Sequence, residues 1–298
     1  MTDKRKELTG NICGVSAYFF WGILTIYWKT LHEVPAFQLV LHRILWCFIV
    51  MLGYILIRGK GRQLAAILAH RRNILLLSAA ALLIGANWFI YVFALSTERI
   101  LQASLGYYIN PLVSIFLGLV FLKEKLSLRQ KISLILAGAG VTIITVGVGV
   151  FPWISICLAL SFALYGLMKK TVDIPSDLGL TLETMLLAPA SAVLLIVLRF
   201  RSGPIVGTLP PLETVMLFAS GFATALPLFL FGEAAKRIPL SRVGFLQFLS
   251  PTIMFLIGVL VYNEPLTTVK IISFMCIWAA LIIFLLPGAK KARERFPG

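Results

Sequence analysis

Ten runs of about 20 apolar residues dominate this chain of 298 residues. A run of that length is what an α-helix needs to cross a hydrocarbon core about 30 Å thick, at about 1.5 Å per residue. The runs fall at roughly 9–28, 36–57, 73–95, 100–122, 127–147, 151–168, 178–199, 212–232, 239–262 and 267–286. In lipid every backbone N–H and C=O needs an internal partner, so a spanning segment is either a helix or part of a closed barrel. The alternation of a barrel is missing. The fold class is therefore all-α: a polytopic membrane protein with ten transmembrane helices. Composition agrees, with 59% hydrophobic and 13% charged residues, against about 45–50% and about 25% in soluble domains. A soluble domain, a disordered chain and a small disulfide scaffold are excluded. The four cysteines lie inside apolar runs and form no C-x-x-C pair, so they read as small buried hydrophobes. The longest connection, the basic stretch from Arg58 to Arg72, is expected to hold a short surface helix. Lys4, Arg5 and Lys6 lead into a full-length span without a small-residue cleavage site, so no cleavable signal peptide is expected.

The formal net charge is +15, from 27 Lys and Arg against 12 Asp and Glu. In a soluble protein that balance would suggest nucleic acid. Here the basic residues sit in short loops, and 21 of them fall on one side of the ten spans against five on the other, with Arg43 inside the second span. Positive loops stay in the cytoplasm. Both termini are therefore expected there, with the lipid bilayer as partner and no nucleic acid.

An internal repeat divides the chain. Glu33-Val34-Pro35 recurs as Asp173-Ile174-Pro175, and Pro111, Gly118, Glu124 and Leu126 recur as Pro251, Gly258, Glu264 and Leu266, all at a separation of 140. Trp21-Gly22 resembles Tyr165-Gly166 at a shift of 144. Two five-helix halves follow, 1–147 and 148–298. Five is odd, so the second half enters the membrane from the opposite side. Inverted repeats of this kind let a transporter open alternately around a central site.

Polar groups at membrane depth are expensive and mark candidate sites. In the fourth span Gln102, Gly106, Asn110, Ser114 and Gly118 recur every four residues. This stripe either lines a cavity or lets another helix approach closely. In the third span Asn87 and Tyr91 share a face. The first places Trp21, Thr25 and Trp28 on one side, the sixth carries Tyr165 four residues after Ser161, and the ninth carries Gln247 four before Pro251. Rings with a few amides suit a small amphipathic or aromatic solute; core packing and interfacial anchoring are the competing roles. Trp21, Asn87, Tyr91, Gln102, Asn110, Tyr165 and Gln247 are the substrate-binding candidates. His42 and Arg43 lie about 10 Å into the second span, and Glu183, 140 residues after Arg43, lies at similar depth in the seventh. These three are the candidates for gating or coupling; snorkelling to the nearer interface is their alternative. Glu233 is expected in a surface ion pair near Lys236 and Arg237. Glu124 and Glu264 are expected to organise the turns after their spans. No catalytic or metal-binding motif occurs, and no phosphate-binding loop. No enzyme activity, cofactor or metal is expected.

Pro111, Gly118 and Glu124 followed by a further span resemble the EamA repeat of the drug/metabolite transporter superfamily, and the second half repeats the pattern. Ala17 to Gly22, His42-Arg43, Asn87-Trp88, the string Ala103 to Leu112, Leu182 to Met185 and Gly244 to Gln247 resemble its RarD branch, named for a chloramphenicol-sensitivity phenotype. Glu233 departs from that branch, which tends to be small and uncharged there. The resemblance implies ten helices, two EamA repeats, a bacterial inner membrane and secondary transport. The expected function is a secondary active transporter of a small solute, in the export direction, with alternating access around a central cavity. A non-transporting membrane sensor or assembly component is the alternative, and a homo-oligomer is compatible with either. Alkaline phosphatase fused after Val34 is expected to be active and after Lys60 inactive; the reverse pattern would invert the topology.

Overall fold

The computed structural model describes residues 3–149, 151–264 and 266–286. Its helices are α1 (Asp3–Thr30), α2 (Ala36–Ile57), α3 (Gly61–Leu68), α4 (Arg71–Ser96), α5 (Ile100–Phe121), α6 (Leu128–Val148), α7 (Trp153–Thr171), α8 (Ser176–Ser202), α9 (Pro211–Arg237), α10 (Leu240–Gln247), α11 (Leu249–Leu260) and α12 (Thr268–Leu285). Counting α10 and α11 as one span, ten candidates among the described residues are long and apolar enough to cross a bilayer. The short helix expected in the basic stretch is α3. Most of the other helices run past their apolar windows, because polar residues in the flanking water continue the turn.

Local chemistry sets the boundaries. Proline stands at the N-cap of α2, α7, α8, α9 and α10. Its ring clashes with a preceding helical turn, so the chain stays extended before it and the helix starts after it. Pro35 (φ −52°, ψ 131°) and Pro175 (φ −50°, ψ 141°) do this 140 residues apart with matching backbone angles. Ser127 and Gln130 form a reciprocal capping box that opens α6. The ninth span is interrupted at Phe248. Pro251 there cannot donate the helical bond to the carbonyl of Gln247, whereas Pro111 sits inside an unbroken α5.

The closest helix pairs join the two halves of the sequence: α5 with α7, α6 with α12, α1 with α9, α2 with α8 and α9, and α10 with α5. Glycines permit the tightest crossings. A Cβ at Gly244 would lie 2.8 Å from the carbonyl oxygen of Pro111, and one at Gly221 would overlap the backbone of Trp46. Tyr165, Phe231, Ile238 and Val243 are fully buried at the centre of the largest core cluster. Leu82, Phe89, Phe116, Phe200 and Leu260 are exposed, which suits a lipid-facing surface. Lipid tails are as apolar as these side chains, so helix association rests on close packing and interhelical polar contacts.

Gly221→Ala is expected to lower stability in detergent by about 1–3 kcal/mol through overpacking. Gly53→Ala, where no atom lies within 4 Å of the new Cβ, is expected to be neutral or stabilising. Thermal unfolding of the two variants checks this, and equal melting temperatures would contradict it.

Candidate functional site

Spanning helices α1, α2, α4, α5, α7, α9, α10 and α11 enclose a cavity of about 510 Å³. It opens at the α1–α2 loop, where exposed His32 and Glu33 stand at the mouth. Among the sequence candidates it is lined by Trp21, Asn87, Tyr91, Asn110, Gln247 and Arg43, together with Trp28, Trp88, Tyr107, Phe162 and Thr224. Gln102 and Tyr165 are not in its wall, and neither are His42 and Glu183. Gln102 is buried beside α7: its backbone carbonyl accepts a bond from Ser155 Oγ at 2.5 Å, and its side-chain Oε1 has no partner among the described residues. His42 is buried in α2 with Nδ1 unpaired among the described residues.

The polar groups in the wall are oriented by neighbours. The Asn87 amide donates to Leu158 O and Ser161 Oγ, both at 2.9 Å, which ties α4 to α7. Gln247 and Ser114 exchange bonds at 3.1 and 3.3 Å, and Ser114 lies 3.4 Å from Asn110 Oδ1, which ties α5 to α10. These groups sit where the sequence stripe in the fourth span meets the broken ninth. Arg43 Nε donates to Thr224 Oγ1 at 3.1 Å, and its guanidinium lies 4.3 Å from the Trp28 ring centroid and 5.8 Å from that of Trp88.

The floor is aromatic. Tyr18 and Trp21 (5.3 Å between centroids), Trp21 and Phe162 (5.7 Å), and Phe162 and Phe231 (5.1 Å) form a continuous cluster. Tyr165 stacks on Phe231 at 6.0 Å from the side away from the cavity. Beyond it lies a second site. Glu183 accepts a bond from Tyr165 Oη at 2.9 Å and pairs with Lys169 Nζ at 2.7 Å. Lys169 is 5% and Glu183 1% exposed. A crevice of about 10 Å³ reaches this pair between α4 and α8, room for about one water. Lys169 was missed by sequence reasoning, which counted it among loop charges. Its position in the last turn of α7 is adjacent to exposed segments, and no local signal marked the pair.

Below the pair, the end of the bundle carrying the N-terminus is stapled shut. Lys170 Nζ donates to Ile238 O at 2.7 Å, Lys236 Nζ to Val172 O at 3.1 Å and also to Ile174 O, and Lys60 pairs with Asp177. Glu124 accepts from the backbone amides of Leu240 (2.7 Å) and Ser241 (2.8 Å), the open N-terminus of α10. The expectation that Glu124 organises its own turn is thus corrected: its carboxylate caps a helix 116 residues away, where unsatisfied amides and the helix dipole attract a negative charge. Among the described residues the mouth end has no matching contact. Glu264 instead stands 3.6 Å from Lys270. Ile100 and Leu101, 140 residues before Leu240 and Ser241, are 59% and 67% exposed, against 0% and 3% for those two. Glu233 forms the expected ion pair with Arg237.

Ten spans around a cavity with one open mouth are the architecture of a polytopic membrane transporter. The chain belongs to the EamA-like transporter family, whose model matches residues 8–146 and again 152–286. It is 43% identical to the uncharacterized transporter YojE of Bacillus subtilis (strain 168), over 95% of this chain and 96% of that one. It is 37% identical to protein RarD of Escherichia coli (strain K12), over 98% and 99% of the two chains. A solved crystal structure shares the fold with a TM-score of 0.73 at 17% identity, covering 94% of this chain and 97% of that one.

Removing one partner of a buried ion pair strands the other charge. Lys169→Met is expected to cost about 3–5 kcal/mol of stability, and Lys169→Met combined with Glu183→Leu to recover most of it. Thermal unfolding measures both; a double variant as unstable as the single one would contradict the pairing.

Proposed function

We infer that the protein is a secondary active transporter that carries a small solute by alternating access, in the export direction. The asymmetry between the two ends carries this reading: one end is closed by interhelical polar contacts, while its counterpart at an offset of 140 is open to the cavity. In this reading the chain is two inverted five-helix repeats, 1–147 and 148–298. The constant offset, the double match of the family model and the packing all support it. The offset of 140 relates α5-on-α7 contacts to α11-on-α1 contacts, and α1-on-α9 contacts to α7-on-α4 contacts.

The basic side is cytoplasmic, in a bacterial inner membrane, so the cavity faces outward. Trp21, Asn87, Tyr91, Asn110 and Gln247 contact the solute and Arg43 orients it. Tyr165 and Glu183, with Lys169, form the cytoplasmic gate. Separation of Glu183 from Lys169 removes the contact that holds α7 to α8, and the closed end loosens. As it opens, Glu124 releases α10 and Glu264 takes the amides of Ile100 and Leu101. Gln102 and His42 serve the packing of the walls.

Cysteines at Asn87, Asn110 and Gln247, in an otherwise cysteine-free chain, test this. Water-soluble thiol reagents are expected to reach them from both sides of the membrane, and Glu124→Gln is expected to shift labelling about tenfold towards the cytoplasmic side. Labelling from the outside alone, unchanged by Glu124→Gln, would leave a static vestibule and end the transport reading.

A further inference from the structure

Among the described residues Arg43 is the one Lys or Arg in the cavity wall, and the one acidic residue there, Glu33, stands exposed at the mouth. The guanidinium is fixed on two sides. Its Nε is bonded to Thr224, and its face lies against Trp28. Among the described residues no carboxylate forms an ion pair with it, and no protein acceptor takes its terminal nitrogens. A charged side chain at membrane depth normally finds a partner or water. Here the remaining donors form a planar fork beside the cavity, with the Trp88 ring centroid 5.8 Å from the guanidinium.

We propose, resting on the transport reading, that this fork is the anchor of the solute site. The solute class it takes is a small organic anion, best a carboxylate, with an aromatic or apolar body. A guanidinium matches a carboxylate with two parallel hydrogen bonds. The body lies on Trp21, Phe162 and Tyr91, and the amides of Asn110 and Gln247 meet polar substituents. Aromatic walls also attract cations, but the nearest ring face is already covered by Arg43, whose charge repels a second cation. The same charge makes closure selective. Shutting the mouth over an empty site strands a lone cation in a dry space, which is costly. A bound anion neutralises it, so the loaded cavity closes more readily than the empty one.

Ligand-induced thermal shifts of the full chain in detergent, with hydrocinnamate, neutral hydrocinnamamide and phenylpropylammonium, test the assignment. Hydrocinnamate is expected to bind at least about tenfold tighter than the amide, about 1.4 kcal/mol, and the ammonium ion weakest. Arg43→Gln is expected to erase the preference and Arg43→Lys to keep part of it. Equal binding of acid and amide, a preference that survives Arg43→Gln, or no binding of any of the three overturns the proposal. Because the comparison among ligands uses the unaltered protein, misfolding of a variant cannot decide it. Thiol labelling of Asn87→Cys on the same preparation separates the two readings. Alternating access without an anion preference removes the solute class alone, and an anion preference without alternation removes transport and keeps the site.

Discussion

Glu124 reaches across the bundle to the first amides of α10, and the closed end of the molecule depends on that kind of contact. A helix N-terminus presents unpaired N–H groups and a partial positive charge. In a membrane protein there is no hydrophobic force between helices to hold such an end in place. Polar contacts between elements therefore decide which end of the bundle is shut. Gly118 makes room for this one: a Cβ there would lie 2.8 Å from Glu124 Oε2 and 3.0 Å from the amide of Ser241. A Cβ at Gly258 would likewise lie 3.2 Å from Glu264 Oε2, yet among the described residues that carboxylate holds no helix end. One device occurs twice and is engaged once.

The cavity follows from this imbalance. With the mouth loop unstapled, the rings and amides of the wall line an open cavity, and a charge at membrane depth such as Arg43 is tolerated best where it borders one. Below the aromatic floor each buried ammonium has a protein acceptor, a carboxylate for Lys169 and backbone carbonyls for Lys170 and Lys236. Tyr165 belongs to both regions, stacked on Phe231 above and bonded to Glu183 below. A change in the cavity wall and a change at the ion pair therefore act on neighbouring groups.

Much of this was legible in the sequence. Apolar length set the ten spans, because hydrocarbon thickness imposes it. The recurring prolines marked matching helix starts, since their effect is local. Asn87, Asn110 and Gln247 stood out because an amide at membrane depth needs a reason, and all three line the cavity. Where the reading stopped, the cause was long-range geometry. Glu124 and Lys169 sit beside helix ends, where charge is cheap, and nothing local shows that each reaches another helix. Tyr165 and Gln102 carry the same residue-level signal as the lining residues but face other helices. The break at Phe248 depends on which neighbours satisfy the backbone, whereas the same Pro motif leaves α5 intact.

Distances between spin labels at the two ends probe alternation most directly. One pair replaces His32 and Glu98 across the mouth, and another replaces Asp173 and Pro239 across the stapled end; all four positions are exposed. The account predicts two populations in each pair, with the mouth distance short when the other is long and their balance shifting when Glu124 is neutralised. Single, fixed distances at both ends under every condition would contradict it.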